Sequence, residues 1–190
     1  MPRRTPLELC SLALTAVGAD PITSFDSGTV EAEVASLWYP MTAEALLSSH
    51  YWSFALRRAE LAELAAPSDA AGWDYAYALP ADFLRLQAVG TDATSQGVPF
   101  EVRGAQLLTD EAIVEITYVR RASEDDWPGY FQDALVAQLA ANFAIPLTEN
   151  TERAEVLTRH AEVKFVRAKQ ADDQGKDTRA IKRFPLTDAR

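Results

Sequence analysis

The chain has 190 residues, 48% of them hydrophobic and 24% charged, which is ordinary globular usage for one domain or one domain with a small insertion. Its net charge of −10 argues against a surface that grips nucleic acid, because phosphate binding relies on Lys and Arg displacing counterions. No stretch approaches the ~20 apolar residues of a membrane span. The opening MPRRTP lacks the apolar run of a signal peptide, so cytoplasmic synthesis is expected, and Cys10 alone permits no intrachain disulfide.

The first helix is signalled by Thr5 as N-cap, Pro6 at its first position and Glu8 completing a capping box. Leu7, Cys10, Leu14 and Val17 then recur at helical steps until Gly18. A second helix is expected from about Ser27, with Val30, Val34, Leu37 and Met41 on one stripe and a kink or break at Pro40. Helical patterning continues through Leu47 and again from about Trp52 to Leu64.

From Trp73 the period changes to that of strands, after a small-residue linker over 67–72. Leu84, Leu86 and Ala88 alternate with Arg85 and Gln87, and Phe100 and Val102 alternate before a tight turn at Arg103-Gly104. Val114, Ile116 and Tyr118 share the face of a further strand. These segments predict a small antiparallel β-meander inserted between helices. Helix returns after Pro128, with Phe131, Leu135, Leu139 and Phe143 four apart and Pro146 ending the run. A last helix from about Asn150 places Ala154, Leu157, Ala161, Phe165 and Ala168 on one face. Beyond Gly175 lies a basic segment with an isolated apolar anchor, too poor in hydrophobes to form a core.

The expected fold class is therefore α+β, mainly α. A helical bundle body over 1–66 and 128–174 carries a β-rich insertion over 67–127 and an extended C-terminal arm over 175–190.

Groups suited to catalysis are few. Cys10 lies on the apolar stripe of the first helix, where a small buried hydrophobe is its usual role. His160 reads as a solvated surface group. His50, at a helix break beside Trp52, reads as packed or capping, with a general base as the sharper alternative. These three candidates lack zinc-ligand spacing, and no phosphate loop, G-x-S-x-G or H-E-x-x-H occurs. Glu124-Asp125-Asp126 is a dense acidic cluster that suits a solvated loop or helix start better than a cation site. No catalytic residue, metal ligand or cofactor is expected. The aromatic clusters Trp38-Tyr39, Tyr51 to Phe54 and Trp73 to Tyr77 suit a core or a subunit interface.

Several segments in order resemble the phage tail tubular protein A family: ALTAVGADPI over 13–22, WSFA over 52–55, WDYAYALPADFLRL over 73–86 and FEVRGAQLLT over 100–109. Ile116-Thr-Tyr118, Trp127-Pro128, Phe131 and Leu139-Ala-Ala141 continue the likeness, which covers roughly residues 8–150. The resemblance implies a structural head-to-tail adaptor, similar to those of gene transfer agents, assembled as a dodecameric ring at the head-tail junction of a virion. The portal protein would sit above it and a tail nozzle or stopper below. DNA would pass through the lumen without sequence-specific binding, an acidic wall letting it slide.

The likeness does not extend to the arm, so its contacts are read from composition alone. Phe184 and Leu186, flanked by Arg179, Lys182 and Arg183, are the candidates for portal or neighbour contact. Arg103, Gly104 and Gln106 of the hairpin are candidates for a lower rim, where exposed strand edges invite a partner. The rival expectations are an assembly factor or tail chaperone absent from the mature particle, and a small hydrolase using His50 with nearby carboxylates.

Overall fold

Thr5 opens helix α1 (Pro6–Val17) in the computed structural model, which describes residues 4–64, 72–90 and 98–175. The capping box forms as its residue types dictate: Thr5 Oγ1 accepts from the Glu8 N–H, and the Glu8 carboxylate accepts from the Thr5 N–H at 2.7 Å. Gly18 ends the helix at φ 83°, a left-handed conformation that glycine adopts without a Cβ penalty. Thr29 caps α2 (Val30–Ser48), its side chain accepting from the Ala32 N–H.

The described residues form a mixed α+β fold with four α-helices and two three-stranded antiparallel sheets. After α2 come β1 (Leu56–Glu60), β2 (Tyr75–Ala78), β3 (Phe83–Gly90), β4 (Phe100–Arg103), β5 (Gln106–Thr109) and β6 (Glu115–Arg120), then α3 (Gly129–Thr148) and α4 (Thr151–Gln174). None of these helices is long and apolar enough to cross a membrane.

Three local expectations are corrected. The helix expected over 52–64 is instead a turn leading into β1, which pairs antiparallel with β6 from Leu56↔Val119 to Glu60↔Glu115. Leu, Ala, Arg and Glu give this stretch good helix propensity, but the backbone partners offered by β6 outweigh a preference of tenths of a kcal/mol per residue, on the order of 0.5. The strands also do not form a meander. Their orders are β1-β6-β3 and β2-β5-β4, so β6 returns to lie between two earlier strands. Finally, Pro146 does not end its helix, since α3 continues past it to Thr148; at Pro40, where a kink or break is expected, α2 is unbroken. Both prolines are exposed, so neither ring has to be accommodated inside the packed core.

Two cores result. The helical core gathers Leu9, Leu14, Leu47, Trp52, Phe131, Leu135, Leu139 and Phe143, and α3 packs against α1, α2 and α4. The four residues expected along α3 are all fully buried, and Ala154, Ala161 and Ala168 are the buried face of α4. The second core lies among the strands, with Leu61, Tyr77, Val89, Leu107, Val114, Ile116 and Tyr118. Strand β6 joins the two, because alternate side chains point to opposite faces: Ile116 and Tyr118 enter the strand core while Val119 enters the helical one.

Candidate functional site: an apolar groove closed by a polar clamp

Helix α2 is apolar on two faces. Ala32, Ala35, Tyr39, Ala43, Leu46 and Leu47 are buried, whereas Val30, Leu37 and Met41 are 61%, 66% and 62% exposed. Of the stripe expected in the sequence, Val30, Leu37 and Met41 therefore face outward while Val34 packs against the helical core, and the buried face mixes alanines with Tyr39, Leu46 and Leu47. Ala32, Ala35 and Ala43 let the inner face lie close on its neighbours, and Asn142 Nδ2 of α3 donates to Thr42 Oγ1 of α2 at 2.9 Å.

Beside that outward stripe lies a groove of about 370 Å³. Trp38, Met41 and Ala45 of α2 form one wall, Glu162 and Phe165 of α4 the other, and Gln138 and Asn142 of α3 complete the lining. The groove is mainly hydrocarbon and aromatic ring, with amides and one carboxylate at its margins. Such a surface suits an apolar side chain or helix face from another segment.

Ser49 lines the groove, and the turn that follows it holds a buried carboxylate. Asp172, on the inner face of α4, has no exposed surface. Both of its oxygens accept from the Ser53 N–H at 3.0 Å, and Oδ1 also accepts from Ser53 Oγ at 2.6 Å and Tyr130 OH at 2.7 Å. His50 Nε2 lies 3.7 Å from Asp172 and 3.5 Å from the exposed Asp173. A carboxylate at a helix C-terminus opposes the macrodipole, and these charge-assisted bonds compensate for that placement. Burial, then the bond to Asp172, raises the Tyr130 phenol to about 12.

This cluster fastens the end of α4 to the turn that follows α2. His50, Asp172 and Asp173 present ligand atoms within 4.8 Å of one another, so it is also the set among the described residues most able to hold a metal ion. Asp172 is already committed to Ser53 and Tyr130, which fits a clamp better than an open coordination site.

Trp52 forms the apolar half of the clamp. It is fully buried, donates through Nε1 to Leu46 O at 2.9 Å, and meets His50, Phe54, Phe131 and Phe165 ring to ring. His50 is thus packed against Trp52 edge-on, at 4.9 Å between centroids.

The other sequence candidates are dispersed. Cys10 is fully buried and burial pushes its thiol up to about 12, so the thiolate is suppressed. His160 is exposed on α4. Glu124-Asp125-Asp126 form a short 3₁₀ turn in which Glu124 accepts from Tyr39 OH and Asp126 pairs with Arg120 at 2.7 Å. The hairpin β4–β5 turns at Gly104, φ 55°, the first of two loop residues. Arg103 is held on its own strand by Glu101, whose carboxyl the arginine's hydrogen bonds keep below its ordinary range. Gly104 is exposed at the tip and Gln106 half-buried beside it. Arg179, Lys182, Arg183, Phe184 and Leu186 lie outside the described residues.

Two features escaped the sequence reading. The outward role of the α2 stripe was signalled by a second apolar ladder on the opposite face. The clamp was signalled by Asp172 standing four residues after Ala168, on the apolar stripe of the last helix. No protein-family model matches the chain, and the search of curated proteins gave no match.

Proposed function

We propose that this chain is a structural subunit without enzymatic activity: a head-to-tail adaptor forming a ring between the portal and the tail of a tailed phage or phage-like particle. The observation that carries an assembly role is the outward apolar face of α2, with Val30, Leu37 and Met41 exposed and Met41 also lining the groove. A helix that is apolar on two faces buries one in its own core and has the other available for a partner. The particular assembly rests on the resemblance of residues 8–150 to the tail tubular protein A family.

In this reading the helices form a bundle-like body over 1–66 and 128–174, with the β-rich part over 67–127 as its insertion and β1 of the body completing one of its sheets. The ring closes through heterologous contacts, in which the α2 face of one copy meets a different surface of the next. The hairpin at Arg103, Gly104 and Gln106 forms the rim toward the nozzle or stopper, and the arm over 175–190 reaches the portal or a neighbour. Net acidity keeps passing DNA from sticking to the lumen.

Cryo-electron microscopy of purified particles tests this. Density fitting the helices and both sheets in the ring beneath the portal is the expected result. Absence of the chain from complete particles would favour an assembly factor or tail chaperone instead.

A further inference from the structure

We propose that the outer edge of β4 pairs antiparallel with the same edge of a second copy, about a two-fold axis through Val102, joining two β2-β5-β4 sheets into one. The contact belongs to the free chain and does not rest on the adaptor reading.

The first observation is the state of the two edges. In the sheet ordered β2-β5-β4, the outer side of β2 is taken by residues 62–64: Leu64 N–H donates to Ala76 O at 2.8 Å and Ala78 N–H to Ala62 O at 3.1 Å. Among the described residues no strand lies outside β4. Its apolar side chains, Phe100 and Val102, are 42% and 40% exposed, although Thr109 and Leu107 opposite them on β5 are fully buried. Such an edge is a ready template for another strand.

The second is which backbone groups it presents. Ala76 and Ala78 turn their hydrogen-bonding groups toward 62–64, so their partners on β5, Leu108 and Gln106, turn theirs toward β4. Leu108 and Gln106 are paired with Glu101 and Arg103. Bonding alternates along an antiparallel strand, so Phe100 and Val102 aim their N–H and C=O groups outward. A symmetric antiparallel contact on this edge therefore has to centre on one of these two residues.

The third is charge, which selects the centre. Within one chain, Arg103 Nε donates to Glu101 Oε1 at 2.7 Å. With Val102 on the axis, Glu101 of each copy stands directly opposite Arg103 of the other. These are the closer, non-hydrogen-bonded positions, about 4.5 Å between Cα atoms. Each arginine then trades or shares one carboxylate for another, and opposite charges face across both pairs. Phe100 falls opposite Gly104 of the second copy, where a ring covers a residue without a side chain. Centring on Phe100 would set Glu101 against Pro99 and lose both charge pairs.

Four residues a side make a small and weak contact, so its trace is chemical trapping rather than a stable dimer in solution. The test uses the full chain with Val102→Cys under mild copper–phenanthroline oxidation, and Cys10 is too deeply buried to compete. Paired Cα atoms about 5.5 Å apart at the axis lie within disulfide range. Linked dimers should form several-fold faster than with Ala105→Cys, an exposed position at the hairpin tip whose twin lies across the axis. Adding Arg103→Glu, or Glu101→Arg, to Val102→Cys should reduce trapping to that control level, since like charges then oppose one another. Mixing those two variants should restore it. So should both substitutions in one chain, which reverse each pair and keep the net charge. Trapping no faster than at Ala105→Cys would overturn the second copy as the strand that β4 takes. Trapping indifferent to the charge variants, unrestored by either rescue, or faster for Phe100→Cys would overturn the register about Val102.

Discussion

The helical core and the strand core bury large rings in different ways. Around Trp52 the rings are mainly those of tryptophan and phenylalanine, with Phe131 and Phe143 fully enclosed. In the strand core the large rings are Tyr77 and Tyr118, whose hydroxyls donate to Glu111 O at 2.7 Å and to Asp82 Oδ1 at 2.9 Å. Two three-stranded sheets enclose a thin layer, so a ring can be buried while its polar tip reaches the margin. Three helices packed around α3 make a deeper layer that takes a ring whole. Stability should therefore depend more on shape around the phenylalanines of the helices and more on hydroxyl hydrogen bonds in the strands, although Trp52 also donates to Leu46 O.

Trp52→Ala is the largest break in that comparison. It leaves a void among Phe54, Phe131 and Phe165 and should cost about 3–5 kcal/mol, read as a lowered urea midpoint. Tyr77→Phe, which keeps the ring and loses one hydrogen bond, should cost only about 1 kcal/mol. Equal losses would mean that the two cores are not distinct in kind.

Next in size is the clamp. Asp172→Ala strands the Ser53 and Tyr130 donors in a buried site and should cost about 3 kcal/mol. Hydrogen exchange should show the last turns of α4 opening first, since Asp172 is what holds them to the turn after α2. Uniform loss of protection across all helices would instead make Asp172 part of the global core.

The clamp also sets a pH limit. The Tyr130 phenol is raised from an ordinary 10.0 to about 12 in the folded chain. The folded state thus holds this proton more tightly than the unfolded one. Its contribution is complete below pH 10 and is lost as pH rises toward 12. In Tyr130→Phe that alkaline component should disappear from a stability-against-pH series, leaving the profile flatter across this window.

How far the sequence could be read depended on whether a signal was local. Thr5, Pro6, Glu8 and Gly18 delimit α1 through contacts within a few residues, and Asn150 caps α4 in the same way by accepting from Arg153. The four-residue steps of α3 were legible because one face of it is uniformly buried. Residues 56–60 were not, since their strand state is created by β6, more than fifty residues away. The strand order was hidden for the same reason. The groove was half-legible: its α2 wall appears in the sequence as an apolar stripe, but nothing local says that the stripe faces out. Asp172 finds its partners at Ser53 and Tyr130, 119 and 42 residues distant, and only folding brings them together.

The smallest expected effect on stability separates folding from assembly. Leu37 is 66% exposed on the outward face of α2, so Leu37→Glu should change stability by no more than about 0.5 kcal/mol. Paired with Met41→Glu, one turn further on, it would place two charges on the face proposed for a partner. Burying them there without counter-charges would weaken association far more than folding. Light scattering across a concentration series should show the double variant remaining a monomer where the parent associates, at an unchanged melting temperature. A fall in melting temperature of many degrees would mean that this face belongs to the subunit's own core. Unchanged association with intact folding would leave the outward stripe without a role in assembly, and with it the observation on which the adaptor proposal rests.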